Sequence, residues 1–312
     1  MIDLGLVVAR LVHYAAVTTL AGVSFFPLYA CADGEPVVLL RWRQGVLLAA
    51  AITALLSGVL WFVFSVANMS GTLADVADRE VLWMVSNETT FGRVWTARLV
   101  LSIIMVGLLW NRVVSKFGPR RDLITPVLAA VLLISLAGVG HSQIEEGIEG
   151  IFHVGSDAAH LLAAGAWLGG LVPLGYILLL HGRERGSVQR SDLNEILLRF
   201  SGMGYVAVAT LTGSGLVNSW FLIGNIVGLF ATPYGQLLVV KLVLFAGMLA
   251  LAVSNRFWLV PSLTKARTND PNGSTVCTGR LRNHVLGEQF LGFMVLLVVS
   301  VLGTMQPAVG QG

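Results

Sequence analysis

Residues 151–180 read IFHVGSDAAHLLAAGAWLGGLVPLGYILLL. The run carries one carboxylate and two imidazoles among otherwise apolar and small residues. About 20 such residues are enough for a helix to cross the hydrocarbon core of a bilayer, so this stretch reads as a membrane span. Seven more segments qualify: 4–30, 45–67, 94–111, 123–140, 196–223, 237–259 and 285–305. The composition of the 312 residues agrees: 55% are hydrophobic and 12% charged, where soluble domains average about 25% charged. The expected fold is an all-α integral membrane protein with eight transmembrane helices.

Orientation follows from the basic residues, which favour cytoplasmic loops. Fifteen of the 20 Lys and Arg fall in the first, third, fifth and seventh loops, including Arg41, Arg112, Arg185 and Arg282. The opposite loops hold Asp75, Asp78, Glu80 and Glu88, and then Glu145, Glu146 and Glu149. Odd loops are therefore expected in the cytoplasm and both termini in the periplasm. The net charge of +3 reports this topology and calls for no nucleic-acid partner. No cleaved signal peptide is expected, since the first apolar run is long and has no basic leader. Cys31 and Cys277 both fall on the reducing side, so no disulfide is expected.

A four-helix pattern occurs twice. The third span opens FGRVWTARLVL and the seventh YGQLLVVKLVL, each with an aromatic-Gly pair seven residues before a cation, Arg98 or Lys241. The first span aligns His13 and Pro27 with His160 and Pro173 of the fifth, and Ser57-Gly58 aligns with Ser214-Gly215. Two parallel halves are expected, residues 1–140 and 141–312, forming one integrated membrane domain.

Ionisable groups inside spans cost roughly 2.5–3.5 kcal/mol each on insertion scales and mark function by default. His153, Asp157 and His160 recur at helical spacing and share one face. His141 ends the fourth span across a short acidic loop, and Arg10 and His13 enter the first span at similar depth. Imidazole and carboxylate together suit a transition metal. The metal candidates are thus His141, His153, Asp157, His160 and His13. The competing reading is a buried polar network, with Asp157 paired to Arg10. Trp167 continues the stripe of the fifth span, and Arg98 and Lys241 either snorkel to headgroups or balance a buried carboxylate such as Asp157 or Glu288. Met305 offers a thioether near the outer end of the last span. No phosphate-cradling loop precedes a Lys-Ser/Thr pair, which argues against ATP-driven pumping by this chain.

The H-x-x-x-D-x-x-H-LLAAGAWLGGLVPL stretch, the GHS that ends the fourth span and the eight-span layout resemble the copper resistance protein D family. Lys241, Arg282 and Glu288 stand where that family tends to have such residues. The resemblance implies an inner-membrane, non-enzymatic protein that receives copper from a periplasmic CopC-like carrier and moves it towards the cytoplasm. His160, Trp167, Gly169-Gly170, His181 and Lys241 also resemble HemJ-type protoporphyrinogen oxidases. That second resemblance implies haem b, a redox enzyme, and His13 and His160 as axial ligands.

Overall fold

In the computed structural model, residues 2–31, 34–115, 122–139, 147–183, 190–223, 225–263 and 271–311 are described. Among them every regular element is helical. The main helices are α1 (Ile2–Ala30), α2 (Val37–Ser70), α3 (Arg79–Glu88), α4 (Thr90–Ser115), α5 (Ile124–Ile134) and α6 (Gly147–Ala164), followed by α7 (Leu171–Arg183), α8 (Arg190–Ile223), α9 (Ile226–Ala231), α10 (Pro233–Ser254) and α11 (Pro271–Leu302). A π turn, Gly165–Gly169, joins α6 to α7, and another, Asn255–Leu259, extends α10.

Seven helical stretches among the described residues are long and apolar enough to cross a membrane: Ile2–Ala30, Val37–Ser70, Thr90–Ser115, Gly147–Leu180, Leu193–Ile223, Pro233–Leu263 and Val276–Leu302. Their outer surfaces are apolar, with Leu56, Ile103, Val206, Trp220, Val243 and Phe290 all exposed. A contiguous surface of this kind needs a lipid environment.

The eighth expected span is shorter, running from Ile124 to Val139. Its α-helix stops at Ile134 for a visible reason. Arg98 donates to the Leu132 carbonyl at 2.7 Å, and the Ser135 hydroxyl donates to the same oxygen at 2.9 Å. Leu136 N–H turns instead to Leu133 O at 3.1 Å, so the chain tightens into a 3₁₀ turn at Ala137–Val139. At the other end, Arg112 pairs with Asp122 and holds the end of α4 to the start of α5.

Two apolar cores lie side by side. One joins α1, α2, α4 and α5 through Leu20, Leu47, Trp61, Trp95, Met105 and Leu132. The other joins α6, α7, α8, α10 and α11 through Trp167, Ile177, Leu193, Phe200, Met248 and Val285. They meet where α1 crosses the first π turn. Gly22 and Gly169 face each other there, and a methyl added to either would overlap the other's backbone. Small residues permit this close helix contact without a side-chain layer.

Short helices α3 and α9 lie at the end of the bundle that carries the acidic loops, and each caps the span that follows it. Thr89 Oγ1 accepts from Gly92 N at 2.9 Å and donates to Val85 O at 2.6 Å. Thr232 Oγ1 accepts from Gly235 N at 3.1 Å and donates to Gly228 O at 2.7 Å. Each glycine lies against a carbonyl of the short helix, Val85 or Gly228, where a Cβ has no room. This is why the aromatic residue of both span openings is followed by glycine.

Candidate functional site

Polar side chains gather at three places inside the bundle. The first surrounds His13, which is 2% exposed. Its Nε2 accepts from Arg98 Nη2 at 2.8 Å. A guanidinium only donates, so Nε2 carries the lone pair and Nδ1 carries the proton. Nδ1–H donates to Ala54 O at 3.0 Å and lies 3.1 Å from Ser57 Oγ. Trp61 and Trp95 pack against the imidazole with ring centroids 5.5 and 5.6 Å away. Arg98 is 3% exposed and also donates to Ser135 Oγ. It therefore does not snorkel: it ties α4 to α1 and α5 from inside.

The second place is the inner face of α6. His160 Nδ1 meets Ser214 Oγ on α8 at 3.0 Å, with the Leu211 carbonyl also in hydrogen-bond reach. Among the described residues no hydrogen bond reaches His160 Nε2. One turn along α6, Asp157 Oδ1 accepts from Asn218 Nδ2 at 3.2 Å. Lys241 on α10 lies close enough for its charge to act on both Asp157 and His160. His153 is buried, stacks on Phe221 at 4.5 Å with the rings 13° from parallel, and lies within electrostatic reach of Asp157.

The structure thus brings His153, Asp157, His160 and Lys241 into one neighbourhood and keeps His13 in another. Among the described residues no three His, Cys, Asp or Glu side chains are arranged to hold a metal ion. His141, Glu145 and Glu146 lie outside the described residues, while Glu149 is exposed in the first turn of α6. The Arg10–Asp157 pairing is not formed. Arg10 instead stacks on the Trp61 ring at 4.8 Å, beside Gly303, with Nε and Nη1 buried and lacking a hydrogen-bond partner among the described residues. Met305 follows α11 at the same end of the bundle.

The third place is nearer the basic end. Glu288 on α11 is 2% exposed and accepts from Asn255 Nδ2 at 2.6 Å and from the Trp167 indole N–H. Trp167 is therefore a partner of Glu288, about two turns beyond His160. Ser57, Ser214, Asn218 and Asn255 are the polar partners that sequence reasoning passed over. The serines stood inside the Ser-Gly pairs that align between halves, so the signal was present, while Asn218 carried none.

The family described as "Copper resistance protein D-like, N-terminal domain" matches residues 1–151, and "Copper resistance protein D" matches residues 194–302. The chain is 30% identical to "Inner membrane protein YebZ" of Escherichia coli (strain K12), over 83% of each chain. It is 29% identical to "Copper resistance protein D" of Pseudomonas syringae pv. tomato, over 98% of each. It is also 30% identical to "Copper transport protein CutJ" of Bacillus subtilis (strain 168), over 78% of this chain and 44% of that one. No solved structure matches closely enough to count as a relative. The two matched regions take in the His13 cluster and, from the other two, Ser214, Asn218, Lys241, Asn255 and Glu288, while His153, Asp157, His160 and Trp167 fall between them. With the likenesses over 83% and 98% of its length, the chain belongs to the copper resistance protein D family.

Proposed function

We propose that this protein is a multi-pass inner-membrane copper transport and homeostasis protein that takes copper from the periplasmic side towards the cytoplasm. Its entry site is centred on His160 and Asp157, with His153 one turn nearer the acidic end and His141 joining from the end of the proposed fourth span. One observation carries the reading. His160 and His13 are both fixed through Nδ1, but Arg98 occupies the second nitrogen of His13, whereas that of His160 receives no hydrogen bond among the described residues. A ring held at Nδ1 by a hydroxyl or carbonyl presents an oriented Nε2 lone pair, the usual arrangement of a metal-binding imidazole. Asp157 adds an anionic oxygen, and Lys241 keeps the site from holding a cation too tightly. An ion in transit must be released, so an open arrangement suits cargo better than a closed cage.

The same contrast weighs against the haem reading, in which His13 and His160 would each give Nε2 to iron. The His13 lone pair is already engaged.

The proposed topology has eight spans, with Ile124–Val139 as a short fourth one, both termini periplasmic, and two parallel halves at residues 1–140 and 141–312. The paired sets His13, Ser57, Gly58, Arg98 and His160, Ser214, Gly215, Lys241 support the halves, as do the two Thr-capped Gly starts. A periplasmic CopC-like carrier is the proposed donor, and Glu149 with the neighbouring acids would raise the local cation concentration.

The test is copper binding and uptake by variants of the full chain. His160→Ala should insert and purify normally, yet lose bound copper and cellular copper accumulation measured by mass spectrometry. Asp157→Asn should retain the fold and bind copper more weakly. Transport at the parent rate by both variants overturns the site.

A further inference from the structure

The cavity beside Glu288 has no role in an entry site at the other end of the bundle. Its volume is about 260 Å³, and Glu288, Asn255, Trp167 and Arg256 are among the residues that line it. Its walls are apolar, and Tyr205, Val253 and Phe257 at its rim are exposed on the outer surface of the bundle. Glu288 lies six residues beyond Arg282 along α11, about 9 Å deeper at 1.5 Å per residue.

Three features distinguish this carboxylate from a structural one. Its hydrogen-bond donors are both neutral, and among the described residues no cation forms an ion pair with it. Both donors come from π turns: Trp167 lies in Gly165–Gly169, and Asn255 opens Asn255–Leu259. Such turns are rare within α-helices and frequent at functional sites. Finally, Asn255 Oδ1 is buried and accepts no hydrogen bond among the described residues.

The orphaned oxygen makes the pair usable in two states. With Glu288 ionised, Asn255 Nδ2 donates to it, as observed. With Glu288 protonated, half a turn of the amide presents Oδ1 to the carboxylic O–H. Each state thus has a partner, and a neutral carboxylic acid avoids the cost of an unpaired charge at this depth. Copper is a poor occupant here, because two N–H groups already point at the carboxylate and oxygen donors suit harder ions.

We propose that Glu288 is a proton-binding site, loaded from the basic end of the bundle, and that it couples copper movement to proton movement. The coupling rests on the transport reading above; the proton site rests on the geometry alone. An O–H bond forms at the carboxylate with a proton given up by water at the basic end and breaks back to water on release, and no electron moves. The surrounding elements bring Arg256 from the α10 turn, Tyr205 from α8, Tyr176 from α7 and Tyr29 from α1, with Arg282 and His284 on α11 itself. The Tyr29 hydroxyl donates to the Ala166 carbonyl, and Tyr176 stacks on Trp42.

The test uses the full chain in proteoliposomes and dicyclohexylcarbodiimide, a small apolar reagent that modifies protonated carboxyl groups away from water. Peptide mass spectrometry should find an adduct at Glu288 that falls as pH rises and is absent in Glu288→Gln. Asn255→Ala should shift the pH at which labelling is half-maximal. No adduct at any pH, or one indifferent to pH, overturns the proton site. In the same vesicles, a pH gradient should change the copper uptake rate of the parent chain, and Glu288→Gln should bind copper but lose that response. Labelling as expected with copper uptake indifferent to the gradient overturns the coupling. Absence of copper uptake by the parent chain counts against the transport reading, while the labelling still decides the proton site.

Discussion

Arg98 and Lys241 each follow an aromatic-Gly pair by seven residues, yet they treat their histidines differently. Arg98 donates directly to His13 Nε2, whereas Lys241 acts on His160 through its field alone. Two serines test the consequence. Ser214→Ala removes the hydroxyl partner of the proposed ligand and should weaken copper binding about tenfold, the lower end for loss of an outer-shell partner. Ser57→Ala should leave copper affinity unchanged and cost about 1 kcal/mol of stability, the net worth of one buried hydrogen bond. Equal effects on copper affinity, measured by competition with a chelator, would refute the distinction. Lys241→Met should keep the copper stoichiometry and change the transport rate, because an ammonium has no lone pair to offer a metal.

At the scale of elements, the two Thr-capped turns carry the clearest steric constraint. Gly235→Ala would set a methyl against the Gly228 carbonyl, and α9 would have to move away from α10. The expected cost is about 1–3 kcal/mol, as for other overpacked sites, read as a lower unfolding temperature in detergent. Gly202→Ala, within α8 and with open space around it, is the control and should not lower that temperature. These elements also show what a sequence reveals. Apolar runs fix where spans lie, because burial in lipid is a property of the run itself. The aromatic-Gly openings announced a shared local structure without naming the carbonyl that demands glycine. The fate of Arg98 was hidden altogether: a cation near a span end snorkels or turns inward according to what the neighbouring helices offer, here His13, Leu132 and Ser135. The role of Trp167 was hidden for a similar reason, since its stripe on α6 passes through a π turn that changes the direction of every later side chain.

At the scale of the whole molecule, the topology is open to direct test. Reporter fusions after Arg121 and after Glu149 should give cytoplasmic and periplasmic signals respectively, and the reverse pattern would invert the proposed direction of copper. The proposed orientation rests on the alternation of acidic and basic loops alone. The meeting of the cores at Gly22 and Gly169 was not readable, because neither glycine differs in sequence from the many others. The short helix Ile124–Val139, proposed as the fourth span, has its own consequence for the lipid around it. At 1.5 Å per residue, Ile124–Val139 reaches about 24 Å, against roughly 30 Å of hydrocarbon. Such mismatch is relieved by thinning the bilayer locally, here along the flank that shelters Arg98. The protein should therefore work best in thin membranes: copper uptake in vesicles should decline as acyl chains lengthen, and a flat response would show that the short span makes no demand on its solvent.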